Sequence, residues 1–192
     1  MLSIYDVFMA PLERLRIGKR RYDILKEAKG NILEIGSGTG ANLRYYDMDQ
    51  IHSLCITDVN LSKHLTKKAP DIACLEEASA SDLPYQDKQF DTIVHTLVFC
   101  SVNHKHVGMQ ELRRVLKDDG QILFIEHVLP KNRFLRVIFT FINPLWMLFS
   151  RECTLTHDFV KTARENGFDV IQKDHFFMTS FISGKLVKKT VT

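Results

Sequence analysis

The chain has 192 residues, 45% of them hydrophobic, which suits one folded domain with a buried core. Its formal charge of +3 comes from 26 basic and 23 acidic residues spread along the length, and even the Lys185, Lys188, Lys189 group is short, so nucleic-acid binding gains no support. Cys55, Cys74, Cys100 and Cys153 lie far apart with no Cys-x-x-Cys pair, which reads as buried thiols in a reducing, cytoplasmic setting rather than a metal site or disulfide framework.

Met1 to Lys29 carries Tyr5, Phe8, Met9, Leu12, Leu15 and Ile17 at mostly helical spacing with charges between them. This predicts one or two amphipathic helices forming an N-terminal cap over residues 1–29, and acids without a continuous apolar run argue against a signal peptide. Asn31 to Ile35 reads as the first strand and runs directly into Gly36-Ser37-Gly38-Thr39-Gly40. Three glycines at alternate positions make a tight turn where backbone can approach a ligand, and a helix is expected to start over Ala41 to Tyr46. Ser53 to Thr57 is the second strand, and Asp58 stands at its end, eighteen residues beyond Gly40. A carboxylate there can grip ribose hydroxyls while the turn passes close to the rest of the ligand, so a nucleoside cofactor is indicated. The Gly-x-Gly-x-Gly spacing departs from Gly-x-Gly-x-x-Gly and no Gly-Lys-Ser/Thr follows, which disfavours a dinucleotide or a phosphate-cradling loop. A plain strand-to-helix connection is the bland alternative.

Leu61 to Lys68 reads as a helix, Ile72 to Glu76 as a short third strand, and Asp82-Leu83-Pro84 with Asp87 and Gln89 as a turn. Phe90 to Thr96 is the fourth strand; His104 to Leu116 has a 3.6-residue apolar pattern stopped by Asp118-Asp119-Gly120, and Gln121 to Glu126 is the fifth strand. Short apolar runs alternating with helices predict an α/β, doubly wound and mostly parallel sheet, with ligands at the strand carboxyl ends. Those ends carry Glu34 to Gly36, Asp58, Glu77 to Ala80, His95-Thr96 and Glu126-His127. The aromatic stretch Arg133 to Phe149 follows, part of an insertion over 130–155 placed where a lid would lie. Arg133, Arg136, Asn143 and Pro144 interrupt it, so it falls short of the roughly 20 apolar residues of a spanning helix. A helical hairpin closing the core and a peripheral membrane contact both remain open for it. Thr156 starts a helix over His157 to Asn166, stopped by Gly167, and Phe168 to Lys173 with Gly184 to Lys189 form a closing strand pair.

The motifs Leu33 to Gly40, Ala80-Ser81-Asp82-Leu83-Pro84-Tyr85, Gln89-Phe90-Asp91 and Glu111 to Gly120 occur in an order that resembles the class I S-adenosylmethionine-dependent methyltransferases, in particular the type 11 group. Tyr5-Asp6, Thr96 to Val102, Glu126-His127 and Cys153 to Thr156 extend the likeness to a subgroup of small phospholipid-type and thiol-type methyltransferases. The resemblance implies a Rossmann-like, seven-stranded fold over residues 1–192 with strand order 3-2-1-4-5-7-6 and S-adenosylmethionine as cofactor, leaving as S-adenosylhomocysteine. It implies that Glu34, Gly36, Ser37, Gly38 and Gly40 surround the methionine part, Asp58 the ribose, Val59 or Asn60 the adenine, and Ser79-Ala80 the base edge. His95, at the end of the fourth strand, joins that cofactor-binding set. Ser79 stands where the family usually has aspartate, Asp118-Asp119-Gly120 replaces Pro-Gly-Gly, and Arg151-Glu152 replaces small residues of the subgroup.

A sulfonium methyl is already electrophilic, so the protein has mainly to align a nucleophile and exclude water. Where a proton must move, Tyr5, His95, His127 and His157 are candidates, with His127 and then Tyr5 foremost, and Asp6 a support for either Tyr5 or a substrate ammonium. The expected activity is methyl transfer to a small or amphiphilic acceptor, a thiol, amine or hydroxyl, held beneath the apolar lid. An ethanolamine-type phospholipid N-methyltransferase at the membrane surface and a nucleoside-binding module without chemistry are the competing readings.

Overall fold

A computed structural model describes residues 16–149 and 153–190, with only the backbone of Phe149. Its elements in chain order are α1 (Gly18–Leu25), β1 (Gly30–Ile35), β2 (Ile51–Asp58), α2 (Lys63–Lys68), β3 (Ala73–Glu77) and β4 (Phe90–Thr96). These are followed by α3 (Lys105–Val115), β5 (Leu116–His127), α4 (Arg133–Phe149), α5 (Phe159–Glu165), β6 (Phe168–Phe176) and β7 (Phe181–Lys188). The seven strands form one sheet in the order β3-β2-β1-β4-β5-β7-β6. β1 to β5 pair in parallel, and β7 runs antiparallel to both β5 and β6. This is the seven-stranded order expected from the resemblance.

Alternation along the buried strands supplies two apolar layers. On one face Ile32, Leu54, Ile56, Val94 and Leu123 pack with Ile24 and Leu25 of α1 and Leu65 of α2. On the other, Leu33, Ile93, Ile122 and Phe124 pack with Met109 and Leu112 of α3 and Phe159 of α5.

Several elements differ from expectation for local reasons. No α-helix follows the glycine turn; residues Leu43–Tyr45 and Met48–Gln50 form 3-10 turns instead. Asn42 and Tyr46 turn inward to bond Glu34, and Tyr46 is extended at φ −72, ψ 137, which ends any helix there. β5 begins at Leu116, not Gln121, because the Asp118-Asp119-Gly120 turn is absorbed as an irregularity between the pairs Phe90↔Leu116 and Thr92↔Gln121. The cap of α5 is Asp158, whose carboxylate accepts from the Lys161 N–H at 3.0 Å, rather than Thr156. Cys100 and Cys153 are buried, but Cys74, on the edge strand β3, is exposed. Among its described residues the insertion contains one helix, α4, with Pro144 inside it. No helix among the described residues is long and apolar enough to cross a membrane. Tyr5, Asp6, Arg151, Glu152 and the first half of the 1–29 cap lie outside the described residues.

Candidate active site at the strand carboxyl ends

The turn after β1 is built from left-handed residues: Gly36, Gly38 and Gly40 have φ of 63, 54 and 76. At Gly36 a Cβ would collide with the Val98 side chain, whereas at Gly38 it would meet nothing within 4 Å. Gly36 is therefore required for packing, and Gly38 leaves an open approach to bare backbone. Asp58 ties the turn to β2, its Oδ2 accepting from the Gly38 N–H at 2.8 Å and its Oδ1 from the Asn60 N–H at 3.2 Å. A carboxylate has about four acceptor sites, so these two bonds leave capacity for a ligand hydroxyl pair. The Ser62 hydroxyl donates to the Gly38 carbonyl at 2.9 Å, closing the loop from the α2 side.

Next to Asp58, Val59 is 74% exposed, an apolar side chain facing outward where a planar base would border it. The Ala78 N–H donates to the Asp58 carbonyl at 3.1 Å and brings the β3–β4 connection alongside. There the Ser79 hydroxyl accepts from the Ser81 N–H at 3.2 Å and Ala80 is buried, so Ser79 serves its own turn. Ser37 Oγ is buried without a hydrogen-bond partner. An orphaned hydroxyl, an open glycine face, a carboxylate with spare capacity and an exposed valine together fit an adenosyl ligand with a polar tail.

Glu34 is buried inside the turn, not displayed on it. Asn42 Nδ2 donates to its Oε1 at 3.0 Å and the Tyr46 hydroxyl to its Oε2 at 2.7 Å. Burial raises the Glu34 carboxyl above its usual range, with those two bonds opposing the shift. The Arg21 guanidinium of α1 donates to Asn42 Oδ1 at 2.6 Å and to Thr96 Oγ1 at 2.5 Å. Sequence reasoning does not single out Arg21, Asn42 and Tyr46 and names Thr96 only as a strand end and motif residue, because the four gather around Glu34 from separated positions. The inward pair Asn42 and Tyr46, four residues apart, was the one local sign.

His95 is placed elsewhere than expected: its ring is fully enclosed among Phe99, Phe124 and Phe159. Its Nδ1 lies 2.8 Å from Glu126 Oε1, which also accepts from the Val98 and Phe99 N–H groups at 3.1 and 3.0 Å. That pair braces the β4 turn from within the core, bonding the Val98 amide whose side chain packs on Gly36. His127 is only 7% exposed and stacks on Phe139 of α4, with centroids 5.9 Å apart, and edge-on against Phe181 at 4.8 Å. Burial pushes its pKa down to about 4, so the ring is neutral at pH 7. His157 is likewise lowered to about 4, mainly by burial.

α4 covers this side. Its Leu135, Phe139, Asn143 and Trp146 are half-buried, and Asn143 Oδ1 accepts from the Leu155 N–H at 2.7 Å. Below it the Cys100 and Cys153 thiols share a hydrogen bond that lowers Cys153 and, with burial, raises Cys100. Among the described residues no cluster of His, Cys, Asp or Glu could hold a metal ion.

A family model described as a methyltransferase domain matches residues 33–124. The chain is 28% identical to a human thiol S-methyltransferase, TMT1A, over 90% of this chain and 73% of that protein. It is 30% identical to the rat thiol S-methyltransferase TMT1B over 77% of this chain and 66% of that one. Its fold superposes on the Burkholderia thailandensis 1,6-didemethyltoxoflavin-N1-methyltransferase, solved with S-adenosylhomocysteine, with a TM-score of 0.69 and 12% identity over 97% of this chain and 84% of that one. Sheet order, glycine turn, family model and sequence relatives agree, and the chain belongs to the class I S-adenosylmethionine-dependent methyltransferases, type 11 group.

Proposed function

We propose that the chain methylates the sulfur of small apolar thiols held beneath α4. The similarity to thiol S-methyltransferases along nine-tenths of the chain carries this reading. S-adenosylmethionine, when bound, supplies a methyl carbon made electrophilic by its sulfonium. Asp58 and the Gly36 to Gly40 turn hold the nucleoside, Val59 borders the base, and α4 acts as the lid that excludes water over His127.

The acid–base character of the site favours sulfur over nitrogen. His127 and His157, with pKa values of about 4, are weak bases and poorly suited to stripping an ammonium. A thiol needs less help, because a few per cent is already thiolate near neutrality and the thiolate is a strong nucleophile. His127 accordingly lines and shapes the acceptor space as a neutral ring.

The test is incubation with methyl-labelled S-adenosylmethionine and a panel of alkyl thiols, lipid amines and phenols. Label should enter the thiols, and kcat/KM should rise with pH up to each thiol's own pKa, about 8.5 for an ordinary aliphatic one. Label confined to amines overturns the proposal, and an inflection that stays fixed across thiols of different acidity would show a protein base at work.

A further inference from the structure

We propose that the outer face of α4, together with the β6–β7 turn, docks flat on an anionic lipid bilayer. Phe134, Val137, Phe141, Leu145 and Leu148 recur every three or four residues and are all exposed, Phe141 and Leu148 by 81% and 79%. The helix thus shows an apolar stripe outward, the reverse of an ordinary surface helix. The adjoining turn extends it. The Lys131 N–H donates to Thr179 Oγ1 at 3.0 Å, holding the turn beside the start of α4. Phe177, Met178 and Thr179 are consecutive left-handed residues, with φ of 44, 56 and 63, and the first two are exposed. An apolar surface contributed by two elements and spanning 17 helical residues exceeds the scattered apolar side chains of a solvated face.

Charge selects the occupant. No acidic residue occurs from Val128 to Phe149, and Lys131, Arg133 and Arg136 are exposed at the start of the stripe. Lys173 on the edge strand β6 adds a further exposed cation, while nearby Asp174 faces Arg20 at 3.6 Å. Cations on long stems beside an apolar stripe complement phosphate headgroups while the rings enter the acyl boundary. A second copy of the same face would set these cations against one another in a two-fold contact. The helix is too short to span and carries Pro144, so it lies in the interface plane. The inference stands on this surface and not on the acceptor's identity, although an apolar acceptor dissolved in lipid would meet the protein at α4.

The test is sedimentation of the full chain with vesicles of phosphatidylcholine containing roughly one-third phosphatidylserine. Binding is expected, weaker by about tenfold or more on pure phosphatidylcholine or at high salt. The variant carrying Phe141→Glu and Leu148→Glu should lose about tenfold or more in binding, and Arg133→Glu with Arg136→Glu should lose roughly fivefold per arginine. Both variants should retain S-adenosylhomocysteine affinity and melting temperature, because the changed side chains are exposed. Absence of wild-type binding, as would follow if another part of the chain lay over the face, overturns the proposal. So does binding unaffected by Phe141→Glu with Leu148→Glu, or a wild-type dimer that this variant dissolves without any vesicle binding. Vesicle binding without thiol methylation would leave the surface standing and reject only the acceptor.

Discussion

Asp58 fixes the Gly38 amide through one carboxylate oxygen, and the role we propose for its remaining acceptor capacity is to hold the ribose hydroxyls. Asp58→Ala should therefore weaken S-adenosylhomocysteine binding by about 1 to 3 kcal/mol in calorimetry, the range for a hydrogen bond to a charged group. An unchanged affinity would remove Asp58 from the site. The turn and Asp58 were legible in sequence because their geometry is local: glycine spacing dictates left-handed backbone, and a strand end dictates where the next carboxylate stands. His95 shows the opposite case. Its partner Glu126 is 31 residues away, and a histidine in an apolar strand reads the same whether it faces a ligand or a buried carboxylate. The Glu34 network was hidden for the same reason, its bond from Arg21 to Thr96 crossing 75 residues.

At the scale of elements, α4 is held at its middle by Asn143, whose side chain receives the Leu155 N–H and, at 3.4 Å, the Thr154 hydroxyl. Removing that acceptor leaves a partly buried amide unpaired, a cost of about 1 to 3 kcal/mol. Asn143→Ala should lower stability by about that amount, raise the acceptor KM, hasten proteolysis between residues 130 and 155, and leave S-adenosylhomocysteine affinity intact. Cofactor affinity falling in parallel would place α4 on the nucleoside side instead. Strands β1 and β4 were readable to within a residue because continuous apolar runs have few alternatives. The 3-10 turns after Gly40 were not, since the inward bonds of Asn42 and Tyr46 override the helical preference of the segment.

For the whole molecule, His127 and His157 contribute a response to acid. His127 has a folded pKa of about 4 against 6.5 for the free side chain, so the fold favours the neutral ring. Its stabilisation is fully present above about pH 6.5 and is lost as pH falls toward 4. His157 acts in the same sense, while Glu34, raised by burial, acts in the opposite one, favouring the fold at acid pH. His127→Phe should reduce the stability lost between pH 7 and 5 by about 2 kcal/mol, read from urea unfolding at the two pH values. An equal loss in both proteins would show that the ring ionises freely in the fold. The sheet order was legible only through the likeness to a known family, because apolar periodicity names strands without saying which lie side by side. That order has a consequence for synthesis. β7 lies between β5 and β6 although it follows both in the chain, so β6 leaves the ribosome with no neighbour to join. The outer edge of β5 stays open until β7 emerges, and a nascent chain that pauses after Phe176 exposes that edge of an apolar strand to chaperones or to aggregation.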